Sequence, residues 1–169
     1  MDTRVTGYPR RTSSLHAPAI RCSGTAGQNA GTLFSTQTVK LSNTFGTTAV
    51  PGLSYTATVG ANGVLYVSTV GGILNDGFNP GDYVQVSVRV LVDGVAKIEK
   101  VYGVELSTSM NVYWTNWSMA VTVDLLPPGD HMVTVDVALK DRTGSTTATV
   151  AGMNGSPFKG SLSVLVLNK

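Results

Sequence analysis

Two histidines, one cysteine and ten carboxylates are the side chains of this 169-residue chain that could serve as bases, nucleophiles or metal ligands. Their placement speaks against catalysis. His16 lies in an irregular N-terminal stretch. His131 opens a strand in phase with a run of valines, a position that suits a hydrogen-bonded structural group better than a general base. Cys22 has no CxxC spacing and no base near it, and reads as an incidental thiol; the sharper reading is pairing between copies or with a partner. A single cysteine excludes an internal disulfide framework. No GxSxG, HExxH, Walker loop or GxGxxG is present. Asp76, Asp82, Asp93, Asp130 and Asp141 fall in turn sequences, where aspartate is favoured for hydrogen bonds to nearby backbone. Asp76, Asn79 and Asp82 cluster as the oxygen ligands of a Ca²⁺ loop do. Their spacing is not that of an EF-hand, and the turn reading is preferred. The expectation is a protein that is not an enzyme, with no catalytic, cofactor-binding or metal-binding residues and no cofactor.

Aromatic residues are the second chemical resource. Tyr113, Trp114 and Trp117 could make a sugar-stacking platform, or they could anchor a core or a subunit interface, since each aromatic buries about 150–250 Å². The anchor reading is preferred. The alternative is a receptor-binding module for host cell-surface glycan, carried by these aromatics and by loops at 71–82 and 152–160. Asn116-Trp117-Ser118 and Asn154-Gly155-Ser156 fit the glycosylation pattern. With no signal-peptide run in the sequence both are read as chance, and Pro157 weakens the second.

The elements that must position these residues are strands. The chain holds 24 Val and 36 Ser plus Thr, and branching at Cβ suits a pleated sheet. Leu53–Val59 and Val64–Val70 read as strands joined by Gly60-Ala61-Asn62-Gly63, with Gly71-Gly72 breaking the run. Asn75-Asp76-Gly77 and Asn79-Pro80-Gly81-Asp82 read as a long turn. Val84, Val86, Val88, Val90 and Val92 alternate with other residues, which puts all five on one face. Asp93-Gly94 is a preferred type I′ hairpin turn. The return strand runs to about Val101, with Ala96 and Ile98 on one face and Lys97 and Glu99 on the other. Met119, Val121, Val123 and Leu125 continue a strand that Pro127-Pro128-Gly129-Asp130 ends. His131 to Leu139 alternates in the same way, Thr146–Ala151 is a short strand, and Leu162–Leu167 closes the chain. No amphipathic helix of useful length fits. About eight strands with frequent turns imply an antiparallel, jelly-roll-like β-sandwich.

Residues 1–40 look different and are read as an extended arm, with the sandwich body over 41–169. The arm carries Arg4, Arg10, Arg11 and Arg21 against Asp2 alone, whereas from Lys40 onward 8 basic side chains face 9 acidic ones. A basic arm on a neutral body points to docking on an acidic protein surface through Tyr8, Arg10, Arg11 and Arg21. Without interleaved aromatics and a basic stripe on the body, nucleic-acid binding is not expected. No run is long and apolar enough for membrane insertion as a helix. Charged residues are only 13% of the chain, little to keep a free monomer soluble. The last strand is apolar on both faces, with Leu162, Val164 and Val166 opposite Leu165 and Leu167. These residues are expected to fill the core or a subunit interface.

From about Gly81 onward the chain resembles the trimeric C1q/TNF-like jelly-roll heads of bacteriophage fibres and related virion proteins. The residues that carry the resemblance are Tyr83–Ile98 with its Asp-Gly hairpin, Leu126-Pro127-Pro128-Gly129-Asp130-His131 with the strand Met132–Leu139, and Gly160-Ser161-Leu162-Ser163-Val164-Leu165-Val166-Leu167. They cover roughly half of the chain. The long shaft that normally precedes such heads is missing, which favours a compact piece mounted on a capsid or tail. The resemblance implies a homotrimer in a virion, partnered by itself and by a capsid or tail protein of the same particle.

Overall fold

In a computed structural model, residues 30–44, 46–106, 113–152 and 158–167 are described. They form ten strands and, among the described residues, no helix. In chain order these are β1 (Ala30–Phe34), β2 (Val39–Leu41), β3 (Thr48–Val59), β4 (Val64–Asn75), β5 (Tyr83–Val92), β6 (Val95–Glu105), β7 (Tyr113–Val123), β8 (Gly129–Arg142), β9 (Ala148–Val150) and β10 (Ser161–Leu167).

Two antiparallel sheets result. In the larger, β4 pairs along its whole length with β7. Its other side is shared by β10 and then β9, with β1 outside β10 and β2 outside β9. The smaller sheet has the order β3-β8-β5-β6. The sheets face each other, with β3 against β1 and β10 on one side and β6 against β7 on the other. The fold is an all-β sandwich of the kind expected, with ten strands in place of about eight.

The valine alternation fixes the core. Val84, Val86, Val88, Val90 and Val92 are all at most 1% exposed, and on β8 Val133, Val135, Val137 and Leu139 are fully buried beside them. Leu65, Val67 and Ile73 of β4, Trp117 and Met119 of β7 and Leu162, Val164 and Val166 of β10 pack into the same core from the opposite sheet. Full burial of one such aliphatic side chain stabilises by about 1.5–3 kcal/mol. Asp93 and Gly94 have φ of 53° and 77°, the two positive values a type I′ turn requires.

Several expectations are corrected. Residues 30–41 are not part of an arm, because β1 and β2 belong to the larger sheet. β1 is polar and contains glycine, and β2 is three residues long, so neither carries enough period to be read from sequence. Gly71-Gly72 does not break a strand, and β4 continues through both to Asn75. A Cβ on Gly71 would lie 2.1 Å from Cη2 of Trp117, and one on Gly72 would lie 2.7 Å from Cδ1 of Phe158. These glycines therefore admit aromatic rings against the strand. Leu125 is outside β7, with φ of 57° and 94% exposure. The return strand runs on to Glu105, and Ala96 on it is exposed while Ile98 is partly buried.

Gly71→Ala is expected to destabilise the protein by about 1–3 kcal/mol, the usual range for overpacking. The readout is a lower denaturant midpoint at unchanged slope. An unchanged midpoint would mean that the indole can move aside without loss.

Candidate functional site

His131 is the group closest to a catalytic arrangement. It is 5% exposed. Its Nδ1 lies 2.6 Å from Asp93 Oδ2 and its Nε2 lies 2.8 Å from the Pro127 carbonyl oxygen. A carbonyl only accepts, so Nε2 carries a proton; a carboxylate facing Nδ1 favours a second one there. Both ring nitrogens face acceptors, an arrangement that favours the protonated ring. The hydrogen bond to Asp93 and then that to Pro127 raise its pKa, against the opposing effect of burial. Asp93 is lowered, first by His131 and then by the backbone N–H of Met132, which donates to Asp93 Oδ1 at 2.9 Å. With both nitrogens engaged, no basic lone pair is left for proton abstraction. The cluster ties the β5–β6 turn to the start of β8, a structural role.

The acidic turn after β4 is built the same way. Asp82 Oδ2 accepts the backbone N–H groups of Phe78 and Asn79 at 3.0 and 2.9 Å, and these, with Asn79's first, hold its carboxyl below the usual carboxylate range. Asp76 Oδ2 accepts the hydroxyls of Thr147 and Thr149 at 3.0 and 2.7 Å. Among the described residues no group of three or more metal-ligating side chains occurs.

The feature with the plainest functional content is the outer face of the larger sheet. Strands β1, β4, β7 and β10, of 5, 12, 11 and 7 residues, contain no Asp, Glu, Lys or Arg. Their outward positions carry small hydroxyls, such as Thr32, Ser68 and Ser163, among apolar groups. Phe34, Tyr66, Val70, Trp114 and Leu167 are each about half exposed there. A shallow groove of about 310 Å³ runs between Thr32, Tyr66, Ser68 and Leu165. At the rim, Trp114 meets Phe158 edge-on at 5.6 Å, and Lys159 Nζ lies 3.6 Å from the centre of the Phe34 ring.

The smaller sheet's outer face is the opposite. Arg89 pairs with Asp136 at 3.2 Å and Lys140 with Glu99 at 3.1 Å. The Tyr83 hydroxyl donates to Asp141 at 2.7 Å, a bond that raises the tyrosine pKa.

The aromatic triplet is divided by strand alternation. Trp117 points inward, fully buried, and its Nε1 donates to Thr69 Oγ1 at 3.2 Å. Tyr113 is partly buried against the core. Trp114 points outward and is 51% exposed. Leu162, Val164 and Val166 lie in the chain's own core rather than on a face open to a neighbour. Tyr8, Arg10, Arg11, Arg21, His16 and Cys22 lie outside the described residues. Sequence reading missed the charge-free face because its members come from four strands distant in sequence. The signal was present as four strand segments without charge, but only the pairing assembles them.

No family model matches the chain, and no curated protein sequence matches it.

The His131–Asp93 pair gives a pH dependence with a definite sign. A raised histidine pKa contributes stability that is complete below about 6.5 and is lost as pH rises through the folded-state value. A lowered aspartate pKa contributes stability present above about 3.8 and lost as pH falls through its folded-state value. The thermal midpoint gap between the natural protein and His131→Gln should be larger at pH 5.5 than at pH 8.5. Equal gaps at both would show that the ring is neutral.

Proposed function

We propose that this protein is a non-enzymatic virion structural subunit. It assembles as a homotrimer that decorates a capsid or forms a spike or tail-associated piece. The observation that carries the reading is the charge-free stretch that β1, β10, β4 and β7 make on the outer face of the larger sheet, set against an opposite face laced with ion pairs. Water-facing sheet surfaces and edges are ordinarily protected by charge. A face that lacks charge across four adjacent strands, with half-exposed aromatic and aliphatic groups, suits burial against another protein. The occupant is a second copy of the same face or of its neighbouring edge, since closed rings of like subunits are the commonest way to cover such surface. The resemblance of Tyr83–Ile98, Leu126–Leu139 and Gly160–Leu167 to trimeric virion heads supports three copies. The arginines at 4, 10, 11 and 21 then act as a docking arm for an acidic capsid or tail surface. Three arms on one body raise avidity without any new contact type.

The mass in solution tests the assembly. Three copies of 17.6 kDa are expected, and Val70→Lys should shift the mass to a single copy with the β circular dichroism spectrum kept. A single-copy mass for the natural protein at high concentration would overturn the reading. Removal of residues 1–22 should abolish attachment to particles while the body still folds; full decoration by the truncated protein would refute the anchoring role.

A further inference from the structure

A cleft at one end of the sandwich has the features of a ligand site that neither the assembly reading nor the aromatic triplet uses. It lies between the turn after β4, the β8–β9 turn and Lys40 of β2. Its volume is about 910 Å³, at the upper end of the range of about 300–1,000 Å³ for small-ligand sites. Phe78 stands at its rim with 86% of its surface exposed.

An aromatic ring so exposed is ordinarily unfavourable, yet here the loop that presents it is fixed. Asp82 Oδ2 accepts the Phe78 N–H, the Asn75 side-chain amide donates to the carbonyls of Asp82 and Val104 at 2.9 Å each, and Asn75 Oδ1 accepts the Gly77 N–H at 2.8 Å. The ring is held out from a rigid turn, a geometry that lowers the ordering cost of binding. Around it the cleft offers hydrogen-bonding groups without a partner. The hydroxyls of Ser145 and Thr146 and the ammonium group of Lys40 make no hydrogen bond or ion pair among the described residues. Asp76 uses only Oδ2 for Thr147 and Thr149, which leaves Oδ1 open among the described residues.

We infer that this cleft binds a neutral, hydroxyl-rich saccharide, with one sugar ring stacked on Phe78. Sugar rings present a C–H face that packs on an aromatic ring and a rim of hydroxyls that both donate and accept. The cleft supplies both complements: a ring, open acceptors in Asp76 and the hydroxyls, and donors in Lys40, Ser145 and Thr146. An anionic sugar would gain Lys40 but would face the carboxylates of Asp76 and Asp82 in the same cleft, so the neutral class is favoured.

The test passes the full chain over immobilised neutral and sialylated oligosaccharides and titrates the best-retained neutral one by calorimetry. Neutral ligands should be retained. Phe78→Ala should weaken the titrated ligand by about tenfold or more, as expected for loss of an anchoring aromatic, and Phe78→Trp should keep it. The thermal midpoint should not move in either variant, because the side chain packs on little. Retention of sialylated ligands alone, retention of none, or equal affinity for Phe78→Ala would each overturn the proposal. None of these outcomes bears on the mass in solution, so the assembly reading stands or falls separately.

Discussion

Two aromatic rings pressed onto opposite sides of one strand set the geometry of the larger sheet. β4 is its spine, and at Gly71 and Gly72 the spine has no side chains. Trp117 of β7 takes the inner space and Phe158 takes the outer space. The indole N–H donates to Thr69, whose own hydroxyl donates to the Ser161 carbonyl at 2.7 Å. One buried polar relay therefore ties β7, β4 and β10 together with every member satisfied, which is the condition for such a group to stabilise a core. Phe158 also accepts the Gly72 and Gly152 backbone N–H groups at its carbonyl, so its backbone is fixed to the same point.

From that constraint the two outer faces acquire their different characters. With Trp117, Leu162 and the β4 aliphatics committed inward, the outward positions of the same strands hold only hydroxyls, small residues and a few large apolar groups. The smaller sheet commits its valines inward in the same way, but its outward positions hold Arg89, Asp136, Glu99 and Lys140 in contact with one another. The exposed Lys140–Glu99 pair adds little stability. The value of these pairs is that they keep water and discourage stacking. Strands β1, β10, β4 and β7 have no such deterrent, and the contrast within one molecule is a firmer guide to association than any single exposed side chain.

The core was legible in the sequence because its signal is local. Five valines at alternate positions of β5 and the Asp-Gly turn after them define strand, face and hairpin within a dozen residues. The fate of the aromatics was not legible, since neighbouring positions such as Tyr113 and Trp114 go to opposite faces and only the register against Asn75 and Leu74 decides which. The double glycine misled for a related reason: a glycine that ends a strand and a glycine that admits a ring from a neighbouring strand look identical until the partner is known. Of the edge strands, β1 was missed because it buries few side chains and β2 because it is only three residues long, although Val39 and Leu41 are buried. His131 was legible in role but not in charge state, which depends on two acceptors, one 38 residues before it and one 4 residues before it.

Assembly and recognition make compatible demands on this fold. A saccharide site built on one exposed ring and a few hydroxyls would have modest affinity, because stacking on a single aromatic and hydrogen bonds exchanged with water each contribute little net. A lone copy would hold a sugar only briefly. Three copies closed around the charge-free face would carry three such clefts on one rigid body, and the second and third contacts would then form at high effective concentration. Weak sites and a firm assembly would then reinforce each other, although the two border on one another, since Leu74 of β4 lines the cleft and pairs with Trp114 of the face. The face is made by strand centres whose composition must stay uncharged to pack. The cleft is made by the turns after β4 and β8 together with Leu74 and Lys40, and hydrogen bonds to Asp82 and from Asn75 hold the turn that presents Phe78.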